Sequence, residues 1–250
     1  MITPYRDVSQ LVMQCEKDQD YAFRISDPGA DITIVAVHGG WIEPPTGELA
    51  SAIAGQEYNL YVLRGLRPDA REQMRVPIGR FSEMRLNALL RRSHAALHID
   101  GVPGEEAIVH LGGRNRRLKA VLEEHLQTAG LIVAAPYGPG AAHDPRRFYN
   151  LPDAGGVQME LSLALRRQMV DGLLDPEVNP QNTRQTPLFV MLTRVVRDAL
   201  QLYLAQARSD LELTMERFER TTRQFPDWLR RGGHEARPDA VDESGHRGRR

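Results

Sequence analysis

The chain has 250 residues, enough for one large domain with a substantial buried core. Apolar residues make up 41% and charged residues 26%, with a net charge of −1, so composition gives no ground for a nucleic-acid or acidic-membrane partner. A single cysteine, Cys15, excludes an internal disulfide and any multi-cysteine zinc site.

The N-terminal stretch has no basic segment followed by an apolar one, and no apolar run reaches the roughly 20 residues that span a bilayer. A cytoplasmic protein without membrane contact is therefore expected. The first strong element is "ITIVAV" (32–37), short, β-branched and flanked by turn residues, which predicts a strand buried on both faces. "TGELASAIAG" (46–55) predicts a helix with Thr46 as N-cap and Gly55 as its stop. Strands follow at 59–65, 94–99, 106–113, 131–136 and 156–162, with helices at 80–93 and 114–130 between them. The stretch 137–155 is rich in proline and glycine and predicts a long loop, of the kind that more often serves function than idles. Residues 188–225 carry apolar side chains at helical spacing and predict one or two long helices packing on the sheet. The tail 230–250 lacks large apolar residues apart from Val241 and predicts disorder. The expected organisation is one catalytic domain over 1–229 followed by this tail.

Such alternation predicts an α/β fold, a three-layer sandwich with a mixed, largely parallel sheet and helices on both faces. Ligands of such sheets bind beyond the carboxyl ends of the strands, where "ITIVAV" runs into "HGGWIEPP". There His38 and Glu43 are separated by two glycines that permit a sharp turn and followed by two prolines that stiffen the chain. An imidazole and a carboxylate on a stiff loop suit zinc; a plain polar turn is the competing reading. "AALHIDG" offers two further donors, His98 and Asp100, two apart and so on one face of a strand. Against them stand a core histidine and an Asp-Gly turn. Glu160 lies in the apolar run "GGVQMELS", where a carboxylate is costly unless paired, functional or on an edge facing water. Gln158 shares its face. "GGRNRR" (112–117) joins a strand to a helix, and Arg114 at the helix start favours an anion, although the dinucleotide spacing G-x-G-x-x-G is absent.

Taken together, "VAVHGGWIEPPTGELASAIAG", "AALHIDG", "EEAIVHLGGRN" and "GGVQMELS" resemble, in order and spacing, the poly-gamma-glutamate hydrolases of phages and bacteria, over about residues 20–170. The resemblance implies a zinc-carboxypeptidase-like fold, a Zn2+ cofactor and hydrolysis of γ-glutamyl amide bonds in poly-gamma-glutamate. It implies His38 and Glu43 as zinc ligands and Glu160 as general base. Arg114 would act on the oxyanion or on substrate carboxylates, and Asn115 and Asn150 would bind substrate. One departure stands out: where the family pattern has Ser-Ile-His-Gly, this chain has His98-Ile99-Asp100-Gly101. Either His98 or Asp100 would then supply the third ligand. Two other readings remain: an amidase or carboxypeptidase for another carboxylate-bearing substrate, and a weakly metallated homologue that binds acidic ligands or a protein without turnover.

Overall fold

A computed structural model describes residues 5–138, 144–173 and 184–222. The chain divides into two compact units, 1–203 and 204–250. Seven strands make one sheet: β1 (Tyr21–Ser26), β2 (Ile32–Gly40), β3 (Asn59–Gly65), β4 (Ala95–Val102), β5 (Ile108–Gly113), β6 (Ile132–Ala134) and β7 (Gly156–Ser162). Around them lie α1 (Val8–Gln14), α2 (Thr46–Ala54), α3 (Ala70–Gln73), α4 (Met84–Arg92), α5 (Arg116–Thr128), α6 (Leu163–Met169) and α7 (Pro187–Thr222).

The strand order is β1-β3-β2-β4-β7-β5-β6. β3, β2, β4 and β7 run parallel, whereas β1 pairs antiparallel with β3, and β5 antiparallel with β7. The expected mixed α/β sheet is therefore present, with β1 added as an edge strand. Every residue of β2 is buried, as a strand covered on both faces requires. One face packs Val35, Val37, Tyr61, Leu63, Phe148 and Tyr149 into a continuous apolar cluster with α1 and α4.

The helix expected over 80–93 begins only at Met84, capped by the Glu83 carboxylate, and a 3-10 turn at Ile78–Arg80 precedes it. In the first unit, α7 buries Phe189, Leu192, Val196, Ala199, Leu200 and Tyr203, the stripe that helical spacing predicted. In the second, helix continues to Thr222, and Leu211, Leu213, Met215 and Phe218 are exposed. The tail 230–250 lies outside the described residues. Among those described, no helix is long and apolar enough to cross a membrane.

Candidate metal centre

The carboxyl ends of β2, β4 and β7 meet at one rim of the sheet, since Val35 pairs with His98 and Asp100 pairs with Glu160. β2 reaches that rim through an irregularity: its register against β3 shifts between Ala36 and Gly39. The glycines after His38 are forced. A side chain on Gly39 would lie 3.1 Å from the Cα of Gly47 in the first turn of α2, and Gly40 has φ +63°.

The loop beyond closes on itself. The amide of Glu43 donates to the His38 carbonyl at 2.8 Å, and the Thr46 hydroxyl donates to the same oxygen at 3.1 Å. Thr46 is thus the first helical residue and not the expected N-cap, a position held by Pro45; its hydroxyl ties the loop instead. Buried Arg166 of α6 fixes the far side, donating to the carbonyls of Pro44 at 2.8 Å, Leu161 at 3.2 Å and Val102 at 3.4 Å. Its guanidinium passes over Gly101, where a Cβ would come within 2.8 Å of it.

This framework brings His38, Glu43 and Asp100 together, all buried, with one donor atom from each within 4.8 Å of the others. His38 Nδ1 lies 2.8 Å from Asp100 Oδ1 and 3.5 Å from Glu43 Oε2. His38 Nε2 lies 2.8 Å from the Val76 carbonyl, which only accepts, so that nitrogen carries a proton. A histidine whose outer nitrogen is pinned to a backbone carbonyl presents the other to a metal in a fixed tautomer and orientation. The donor set suits a divalent cation: one imidazole and two carboxylates, with Glu43 oriented by the Gly101 amide at 2.7 Å and by Arg75 at 2.7 Å.

Electrostatics show what a cation would relieve. Burial disfavours the charged form of His38, yet Asp100 and Glu43 outweigh it and push its pKa up to about 10. The proton on Nδ1 then stands where a metal would. Asp100 is pushed up to about 7, first by burial and then by Glu43, against the pull of His38. Burial would raise Glu43 too, but His38, Asp100 and Arg75 hold it well below the ordinary carboxylate range.

Glu160 stands beside Asp100 on β7 and is buried; Tyr137 donates its amide to Oε2 at 2.8 Å and Gln158 its side-chain amide to Oε1 at 3.1 Å. Burial raises its pKa, opposed by the Tyr137 bond and by His110.

The other expected site residues lie elsewhere. His98 shares a face with Asp100 but is not one of the clustered donors: its ring stacks 5.5 Å from Tyr149 and meets Phe148 edge-on at 4.9 Å. Both its ring nitrogens are buried without a hydrogen-bond partner, and burial pushes its pKa down to about 3. Arg114 and Asn115 sit at the other end of β7, because β5 runs antiparallel and sets Gly113 opposite Val157. Val157 lies three positions before Glu160, about 10 Å along a strand. Asn115 caps α5 through the amide of Leu118 at 2.9 Å and donates to the Tyr203 hydroxyl at 2.9 Å. Asn150 accepts from the Arg114 amide at 3.1 Å and donates to the Asp144 carbonyl at 2.9 Å. Both asparagines brace the fold.

Sequence reasoning missed Arg75, Arg166 and the neighbourhood of His110, which pairs with Glu160 across β5 and β7. The period-two pattern of β5 carried the signal for His110; nothing in the sequence pattern singled out the two arginines.

The sequence matches the family model described as poly-gamma-glutamate hydrolase over residues 5–193. Two Bacillus subtilis (strain 168) proteins are related: the UPF0714 protein YndL, 27% identical over 157 residues, and the SPbeta prophage-derived UPF0714 protein YoqZ, 26% identical over 157 residues. Each match takes in 62% of this chain, and 62% and 57% of those proteins, so the likeness spans about six tenths of their length. Among solved structures, a bacteriophage poly-gamma-glutamate hydrolase superposes with a TM-score of 0.75 at 22% identity, covering 82% of this chain and all (100%) of that one. Zinc-free YndL superposes at 0.69 and 23% identity, covering 80% and 98%. At these identities the superpositions establish the shared fold.

Proposed function

The chain belongs to the poly-gamma-glutamate hydrolase family, and we propose that it is a zinc-dependent hydrolase that cleaves the γ-glutamyl amide bonds of poly-gamma-glutamate. The observation that carries this reading is the convergence of His38 Nδ1, Glu43 and Asp100 at one strand rim, with Glu160 on the next strand.

His38, Glu43 and Asp100 would hold the ion. The chemistry a bound zinc supplies is Lewis acidity, polarising the amide carbonyl and lowering the pKa of the attacking water. The remaining work falls to side chains. Glu160, raised by burial, accepts a proton at its carboxylate and returns it to the departing amine. Arg166 holds the Glu43 loop against the ends of β4 and β7, so the donors keep their spacing. The Arg75 side chain, paired with Glu43 and 32% exposed, leaves part of a cation accessible to an acidic polymer. Arg114 takes no part in this account, since its strand end is remote from the trio.

The Arg75–Glu43 ion pair favours a second reading, in which the three buried groups neutralise one another without metal and the site binds acidic ligands without turnover. Incubation of the purified protein with poly-gamma-glutamate, with and without chelator, separates the two. Shortening of the polymer that chelator abolishes is the expected result; an unchanged chain length after zinc is restored removes the hydrolase.

A further inference from the structure

Glu160 needs a fixed orientation to pass a proton, and its own backbone does not supply one. Gln158, two residues earlier on the same buried face of β7, donates from Nε2 to Glu160 Oε1 at 3.1 Å. A primary amide can present either end to a neighbour, and the wrong end would set an oxygen against the carboxylate. The choice is made by Tyr149, whose hydroxyl donates to Gln158 Oε1 at 2.8 Å and so leaves Nε2 facing Glu160. Tyr149 is itself anchored: it is buried in the 3-10 turn Phe148–Asn150, with its ring stacked at 8° on that of His98. With Tyr137 holding the second carboxylate oxygen at 2.8 Å, the two oxygens of Glu160 are gripped from different segments of the chain.

We propose that Tyr149 and Gln158 form a serial relay that orients Glu160: the tyrosine hydroxyl fixes the glutamine amide, and the amide fixes the carboxylate. The proposal rests on Glu160 being the proton-transfer group. Tyr149 and Gln158 are positioning residues, since each acts through the Glu160 carboxylate. The arrangement is serial because Tyr149 reaches Glu160 through Gln158, which makes the effects of removing them non-additive.

The test uses the full chain with Q158L, Y149F and the double variant, each checked for an unchanged circular dichroism spectrum and zinc content. Losing one hydrogen bond to a charged group lowers kcat about 10- to 100-fold in Q158L, with KM within about twofold of the parent. Y149F, which leaves the amide in place but free to turn, loses less, and the double variant loses no more than Q158L. A Q158L kcat within about twofold of the parent, or a double loss equal to the product of the single losses, overturns the relay.

A second readout needs no turnover. The Gln158 side-chain amide pair in a 1H–15N spectrum, assigned by its absence in Q158L, is expected to shift in both Y149F and E160Q. If it moves in only one or in neither, the relay is overturned whether or not the polymer is cleaved. Shifts in both variants together with a parent protein that does not cleave the polymer overturn the hydrolase and leave the relay standing.

Discussion

Metal-free protein should lose stability between pH 7 and pH 10, and His38 should be the cause. In the folded chain Asp100 at 2.8 Å and Glu43 at 3.5 Å raise His38 from 6.5 to about 10 despite its burial. The unfolded chain gives up this proton at its ordinary value, and the folded chain keeps it until about 10. The folded state therefore binds one more proton across the window, so the stabilisation is complete below pH 6.5 and is lost as pH climbs to 10. One proton corresponds to a slope of about 1.4 kcal/mol per pH unit, or about 4 kcal/mol from pH 7 to 10. Asp100 adds little to this window, because its raised value of about 7 places most of its own loss at lower pH. Urea unfolding at pH 7, 8, 9 and 10 in the presence of chelator measures the slope. His38→Gln, in which the titrating ring is gone, supplies the baseline against which tyrosine titration cancels. With zinc present the slope should vanish, since the ion takes the place of the proton. Equal stability of the chelated parent at pH 7 and pH 10, or the same slope in His38→Gln, refutes the electrostatic account of the trio.

Further outcomes follow from the same geometry. Asp100→Ala should weaken zinc binding, measured by chelator competition, by more than the roughly 10- to 100-fold typical of losing an outer partner, whereas His98→Ala should leave it within a few-fold. Glu160→Gln should retain a full complement of zinc and lose turnover, read from polymer chain length. Arg166→Met strands the carbonyls of Pro44, Leu161 and Val102 and should cost about 2–4 kcal/mol in chemical denaturation, with weaker zinc binding because the Glu43 loop loses its brace. Asn115→Ala should cost about 1 kcal/mol for the lost cap of α5 and leave KM unchanged, a result that a substrate-binding asparagine would not give.

The fold was legible where burial is two-sided. The run 32–37 read as a central strand, and the apolar spacing over 188–225 read as helix; its side chains are buried as far as Tyr203, whereas Leu211, Leu213, Met215 and Phe218 are exposed. β1 escaped notice because "YAFRIS" is an edge strand with Arg24 and Ser26 turned outward, so it makes no apolar run. At the site, the residues around His38 and Glu43 left a polar turn and a metal pair both open, and the resemblance to the family pattern was what favoured the pair. Period two put His98 and Asp100 on one face but could not separate them. The separation comes from the Phe148–Tyr149 turn, which claims the His98 ring, and from His38, which claims Asp100. Arg114 and Asn115 stand at the opposite end of β7 from Glu160 for a topological reason. Sequence order carries no strand direction, and the antiparallel course of β5 takes its end away from the rim where β2, β4 and β7 finish.

The central claim is that the buried trio holds one ion and that Glu160 acts beside it. Titrating zinc into the chelator-stripped protein while following poly-gamma-glutamate chain length tests it most directly. Cleavage should rise to a plateau at one zinc per chain, and Glu160→Gln at the same zinc content should stay silent. Cleavage that needs no zinc, or none at one zinc per chain, would contradict the account.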